Sequence, residues 1–263
     1  MNDPVEKNSW SALRQFTNAR IALGRAGNSL PTDALLAFNL SHAQARDAVH
    51  QPLDADALHT GLRALGHSTL EVHSAAPDRD HYLRRPDLGR RLSDDSRAVL
   101  TSTAIEPSEV VFVIGDGLSA LAAGKQSIPF LQAMLPRLSD WKLGPVVVAR
   151  QARVALADEI GELLKAKIVV MLIGERPGLS SPDSLGIYLT YAPKVGCSDA
   201  QRNCISNVRP EGLSYPLAAH KLHYLLTHAR RLGLTGVDLK DDSDASLEHS
   251  TDAQNAISIE NKT

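Results

Sequence analysis

The feature that most constrains this chain is the run Val110 to Ile114 (VVFVI), which stops at Gly115. A wholly apolar, mostly β-branched stretch too short for a helix has the profile of a strand buried on both faces, and such strands belong to parallel sheets covered by helices. Pro145 to Ala149 (PVVVA) and Ile168 to Ile173 (IVVMLI) have the same texture, with helical patterns over 118–138 and 154–166 between the runs. Strands alternating with helices of this length need right-handed crossovers, so the sequence predicts a doubly wound α/β sheet, mostly parallel, with flanking helices. Ile187 to Tyr191 and Cys204 to Val208 are weaker strand candidates. The last helix is well marked, with Ser214 as N-cap, Pro216 in its first turn, Arg230 and Arg231 in its last turn and Gly233 as its stop.

Ahead of the sheet the pattern from Trp10 to His50 is helical, interrupted by the punctuation Ala26 to Pro31, after which Thr32 is placed to cap a helix carrying Leu35, Leu36, Phe38 and Leu40. His42, Arg46 and His50 on that helix read as a solvated face. The polar segment from Asp80 to Leu92, broken by Pro86 and Gly89, reads as an ordered arm rather than core, and arginine-rich segments of this kind suit interfaces. The expected division is 1–104, a helical N-terminal region with a connecting arm; 105–240, the sheet domain; and 241–263, a disordered polar tail.

With 28 basic against 30 acidic residues and a formal charge of -2, no global field draws nucleic acid or an anionic membrane. No apolar run is long enough to span a bilayer and the start has no signal-peptide pattern, so neither membrane nor nucleic acid is expected as a partner, and a cytoplasmic address follows. Cys197 and Cys204 are spaced for neither a redox pair nor a zinc site and read as reduced thiols.

In an open parallel sheet, ligands bind beyond the carboxyl ends of the strands. Three segments fall there. Gly115 to Ala120 (GDGLSA) formally matches a dinucleotide fingerprint, but Asp116 would oppose a pyrophosphate, and the second strand ends at Ala149-Arg150 with no acid for a ribose. A nucleotide-dependent oxidoreductase is therefore only an alternative. Gly174 to Asp183 (GERPGLSSPD) lacks the lysine of a phosphate loop; it is either a ligand loop or a rigid turn in which Glu175 and Arg176 neutralise each other. The third segment, Cys204 to Asn207 (CISN), follows helix-like residues 198–203, and its cysteine reads as packing or ligand contact. No nucleophile sits at a convincing spacing from a base and the histidines have no metal-ligand rhythm, so neither catalytic residues nor a metal site are expected; the chain reads as a binder.

The string Ile168 to Leu179 (IVVMLIGERPGL), continuing to Ser184-Leu185 and then Asn203 to Asn207 (NCISN), resembles the small (light) subunit of ethanolamine ammonia-lyase. So do Thr17 to Gly27 (TNARIALGRAG), Tyr82 to Leu92 (YLRRPDLGRRL) and Asp116 to Ser119 (DGLS), in consistent order from about residue 10 to 232. The resemblance implies a Rossmann-like domain that binds adenosylcobalamin (coenzyme B12) against a large subunit, in a hetero-oligomer converting ethanolamine to acetaldehyde and ammonia by a radical mechanism. Substrate and catalysis would belong to the large subunit, with a purely structural assembly role as a further alternative for this chain. It also implies a cytoplasmic address, within a bacterial microcompartment where the cell builds one. Matching the family's motifs residue by residue places cofactor contacts at Val154, after Arg153, at Glu175 and at Cys204. Val154 would pack the apolar edge of the corrin, Glu175 would accept from a peripheral amide, and Cys204 would fill a gap against the ring.

Overall fold

The computed structural model describes residues 5–103 and 106–244. The three apolar runs become the centre of one sheet, as β2 (Ser108–Gly115), β3 (Val146–Arg150) and β4 (Ala166–Gly174). Its strand order is β1-β3-β2-β4-β5-β6, with β5 (Leu185–Tyr191) and β6 (Arg202–Val208) on the far side. The β1, β3, β2 and β4 pairings are parallel, while β5 runs antiparallel to both its neighbours. The expected mostly parallel sheet with flanking helices is what forms.

The strand at the other edge, β1 (Thr69–His73), has no counterpart in the sequence reading, which placed no strand before residue 110. Its sequence, TLEVH, buries only Val72, because an edge strand covered on one side keeps polar residues at the positions where a central strand must be apolar. The sheet therefore draws on residues ahead of 105.

One face of the sheet packs under α2 (Ala55–Ala64), α5 (Ala120–Met134) and α7 (Tyr215–Leu232), with Phe112, Val148 and Leu172 against Phe130, Leu131 and Leu222. The other lies under α4 (Asp94–Ser102) and α6 (Leu156–Leu163), with Val111, Val147 and Met171 against Leu156 and Ile160. Each such side chain, fully buried, contributes about 1.5–3 kcal/mol. Gly233 ends α7 in the left-handed conformation (φ 70°), as a glycine stop requires, but the Ser214 side chain makes no capping bond.

The N-terminal part departs further from expectation. Residues 11–16 form a short 3-10 turn, residues 17–31 are irregular, and only then does α1 (Thr32–His50) begin, with Pro31 rather than Thr32 in the cap position. Of the α1 residues only Ala48 is buried, so Leu35, Leu36, Phe38 and Leu40 lie exposed. The polar arm is ordered, as expected, yet it is not merely a connection. Its helix α3 (Arg79–Arg84) drives Tyr82 fully into the protein, between the guanidinium groups of Arg79 and Arg153 at 4.6 and 4.2 Å from the ring centre. The Tyr82 hydroxyl donates to the Ala152 carbonyl at 3.1 Å. Of the arginines in this arm, Arg85 folds back onto Asp87, while Arg84, Arg90 and Arg91 remain exposed.

Candidate functional site

The loops that leave β2 and β4 are pressed together. Leu118 donates its N–H to the Gly174 carbonyl at 2.9 Å, and a Cβ on Gly174 would overlap the Ser119 carbonyl. Gly117 sits at φ +56° with its α-carbon against Gly174 and Ile173, so both conformation and space call for glycine. Asp116 turns inward, where its carboxylate accepts the N–H groups of Gln151 and Ala152 at 2.8 Å each and lies 3.6 Å from Arg79. The space a pyrophosphate would need beside Gly117 is filled by the β4 loop, which removes the dinucleotide reading of residues 115–120.

The β4 loop is tied down from several sides. Ser119 donates to the Pro182 carbonyl, and Asp183 collects Lys125, Gln126 and Arg209 at 2.5, 3.2 and 3.3 Å. Burial alone would push the Asp183 carboxyl up, but Lys125 and Arg209 hold it below the usual range. Within this frame the Glu175 N–H donates to the Ser184 carbonyl, and carboxylate oxygen Oε2 accepts from the Ser184 hydroxyl and from the Asn207 N–H at 3.3 Å. Among the described residues no ion pair joins Glu175 to Arg176, so the self-neutralising turn is set aside, and Oε1 makes no hydrogen bond.

Asn207 reaches Glu175 from a left-handed backbone (φ 60°), a region costing a non-glycine residue about 1–2 kcal/mol. Asn tolerates it and a β-branched residue does not. Urea unfolding should show Asn207→Val costing about 1–2 kcal/mol more than Asn207→Gly; equal losses would mean that the backbone angle is not what matters there.

The three residues singled out by sequence come to one face of the sheet. Cys204 on β6 is the cross-strand partner of Tyr188 on β5, and its exposed thiol lies 3.4 Å from the Ser206 hydroxyl. Two residues before Tyr188 on the same face stands Gly186, whose missing side chain leaves room for both neighbours: a Cβ there would lie 3.0 Å from Glu175 Oε1 and 3.2 Å from the Tyr188 ring. Val154 and Tyr188 are both half-buried against the apolar cluster under α6. Val154 is held by its neighbour, since Arg153 donates its N–H to the Gly89 carbonyl at 2.8 Å and its side chain to the Tyr82 carbonyl at 3.2 Å. One row beyond, opposite Thr190, Arg202 donates to Asp158 at 2.6 Å in an ion pair whose side chains are each only 2% exposed. Burial pushes the Asp158 carboxyl up to about 6 against the pull of Arg202.

A family profile described as ethanolamine ammonia-lyase light chain (EutC) matches residues 7–240. The ethanolamine ammonia-lyase small subunit of Azotobacter vinelandii is 56% identical over 248 residues, which are 92% of this chain and 92% of the relative. Those of two pseudomonads are similarly close: Pseudomonas fluorescens, 57% over 242 residues (90% and 88%), and Pseudomonas putida, 54% over 260 residues (97% and 94%). This chain belongs to the ethanolamine ammonia-lyase light-chain family.

As a light-chain member it is a subunit of a carbon–nitrogen lyase of ethanolamine catabolism, and the stand-alone oxidoreductase alternative falls. Among the described residues of this light chain no helix is long and apolar enough to cross a membrane. Tyr188 and Gly186, which lie beside Glu175 and Cys204, were not singled out in the sequence. The available signal was alternation on β5: Leu185, Ile187 and Leu189 face the α5–α7 core, which turns Gly186 and Tyr188 to the opposite face.

Proposed function

We propose that this light chain supplies part of the binding face for adenosylcobalamin, in a hetero-oligomer whose large subunit carries substrate and the radical conversion of ethanolamine to acetaldehyde and ammonia. The observation that carries the reading is that Glu175 and Cys204 flank Tyr188, with Val154 packed against the same apolar cluster as Tyr188, on a sheet face left exposed at Cys204 and Ser206 of β6. The residues fit a large, mostly apolar ring edged with amides. Val154 offers an apolar edge; Glu175 Oε1 is an acceptor with no hydrogen bond from the described residues; Cys204 and Gly186 are small, and aromatic or apolar linings with few placed polar groups characterise cofactor sites. The parallel β1-β3-β2-β4 half of the sheet supports the finer description of the domain as Rossmann-like.

When bound, the cofactor supplies a cobalt–carbon bond whose homolysis starts the chemistry. This chain's work is to hold and orient. Ser184 and Asn207 fix the Glu175 carboxylate through Oε2 and leave Oε1 for a donor, while the Arg153–Gly89 and Tyr82–Ala152 bonds fix the backbone that leads into Val154. Co-expression with a large subunit from the same source, assayed for acetaldehyde with and without adenosylcobalamin, tests the assembly: product must require both chains and the cofactor. In the assembled protein, Glu175→Ala is expected to weaken cobalamin binding by about 1–3 kcal/mol, the worth of a buried hydrogen bond to one charged partner. Unchanged affinity would instead favour a purely structural subunit.

A further inference from the structure

We propose that the face of the Tyr188 ring is a fourth contact of this chain with the corrin, the apolar floor on which the macrocycle rests between Glu175 and Cys204. The inference rests on reading this face as the cofactor's. Tyr188 lies opposite Cys204 in the β5–β6 register and beside Glu175 across the space left by Gly186, and it packs against the same apolar cluster as Val154. Directly opposed residues in an antiparallel pair carry their side chains on one face about 5 Å apart, so a ligand touching both Glu175 and Cys204 passes over the ring between them.

The local design keeps the ring available. Any side chain at residue 186 would come within 3.2 Å of the ring edge and 3.0 Å of the Glu175 carboxylate, so Gly186 is what lets these two groups approach each other. The ring is half-buried rather than sunk into the core, and Cys204 and Ser206 beside it are exposed. The Cys204 thiol lies alongside the Tyr188 hydroxyl, which burial pushes well above its usual pKa, so the phenol stays protonated and the ring presents an uncharged face. Tyrosine suits such a place because it combines a large flat apolar surface with one polar handle that fixes its orientation.

The test uses the assembled complex and cyanocobalamin as probe, with affinity read by absorbance after ultrafiltration and the thermal midpoint of each complex measured alongside. Tyr188→Phe keeps the ring and should bind within about twofold of the native complex, whereas Tyr188→Leu, which keeps apolar bulk for the fold, should bind at least about tenfold more weakly at an unchanged midpoint. Native affinity in Tyr188→Leu, together with weakened binding in Glu175→Ala, would overturn the role of the ring and leave the site standing. Native affinity in both variants would overturn the site and the inference with it.

Discussion

Arg202→Met is expected to lower the unfolding free energy by about 3–5 kcal/mol at pH 8, because it leaves the Asp158 carboxylate buried without its partner. The loss should be clearly smaller at pH 5. In the native chain Asp158, pushed up to about 6 by burial, binds its proton more tightly than in the unfolded chain, where an aspartate titrates near 4. Between those two values the folded state holds the extra proton, so this group's contribution to stability falls as pH rises from about 4 to about 6 and is flat above. Removing Arg202 takes away the group that lowers this pKa, so the window moves upward and protonation at pH 5 relieves the unpaired charge. Urea unfolding of native and Arg202→Met chains at the two pH values measures this directly, and an equal loss at both would show that Asp158 is not the responsible group. Replacing both residues by apolar ones of similar volume should restore much of the stability, since a dry pair gains little over good packing.

Gly174→Ala is the second large effect. Its Cβ would meet the carbonyls of Ser119 and Asp116, backbone atoms that cannot swing aside as a flexible side chain would. A loss of about 3 kcal/mol in urea unfolding is expected, toward the upper end for overpacking. The face around Glu175 should suffer with it, because Glu175 is the next residue and Leu118 donates its N–H to the Gly174 carbonyl. A Gly174→Ala chain of native stability would mean that the two loops separate easily, and would reopen the space beside Gly117.

These two cases also mark what could be read in the sequence. β2, β3 and β4 were legible because a strand covered on both faces has almost no freedom in composition, and VVFVI, PVVVA and IVVMLI say so directly. β1 was not, since TLEVH at an edge satisfies a much weaker constraint, and the segment around Tyr82 was not, since a run of arginines and aspartates gives no hint that one tyrosine among them is fully buried. In α1 the apolar residues Leu35, Leu36, Phe38 and Leu40 lie exposed and only Ala48 is buried, so the apolar content of that helix does not report its burial. Motif resemblance named Val154, Glu175 and Cys204, but that their side chains lie toward one sheet face depends on strand order and on β5 running backwards. Asp116 shows the converse: its place in the loop was legible, and its inward turn toward Gln151 and Ala152 became visible only with the fold.

The reversed direction of β5 has a consequence for how the protein acquires its structure. Because β4, β5 and β6 follow one another as an antiparallel meander within residues 166–208, their pairings close over short stretches of chain. The parallel partners are far apart by comparison: Thr69 pairs with Val146, and Ser108 with Ala166. Pairings of low sequence separation incur less loop-closure entropy and form sooner. Glu175, Tyr188 and Cys204 are therefore expected to come together before β3, the strand that leads to Val154, pairs with its remote partners.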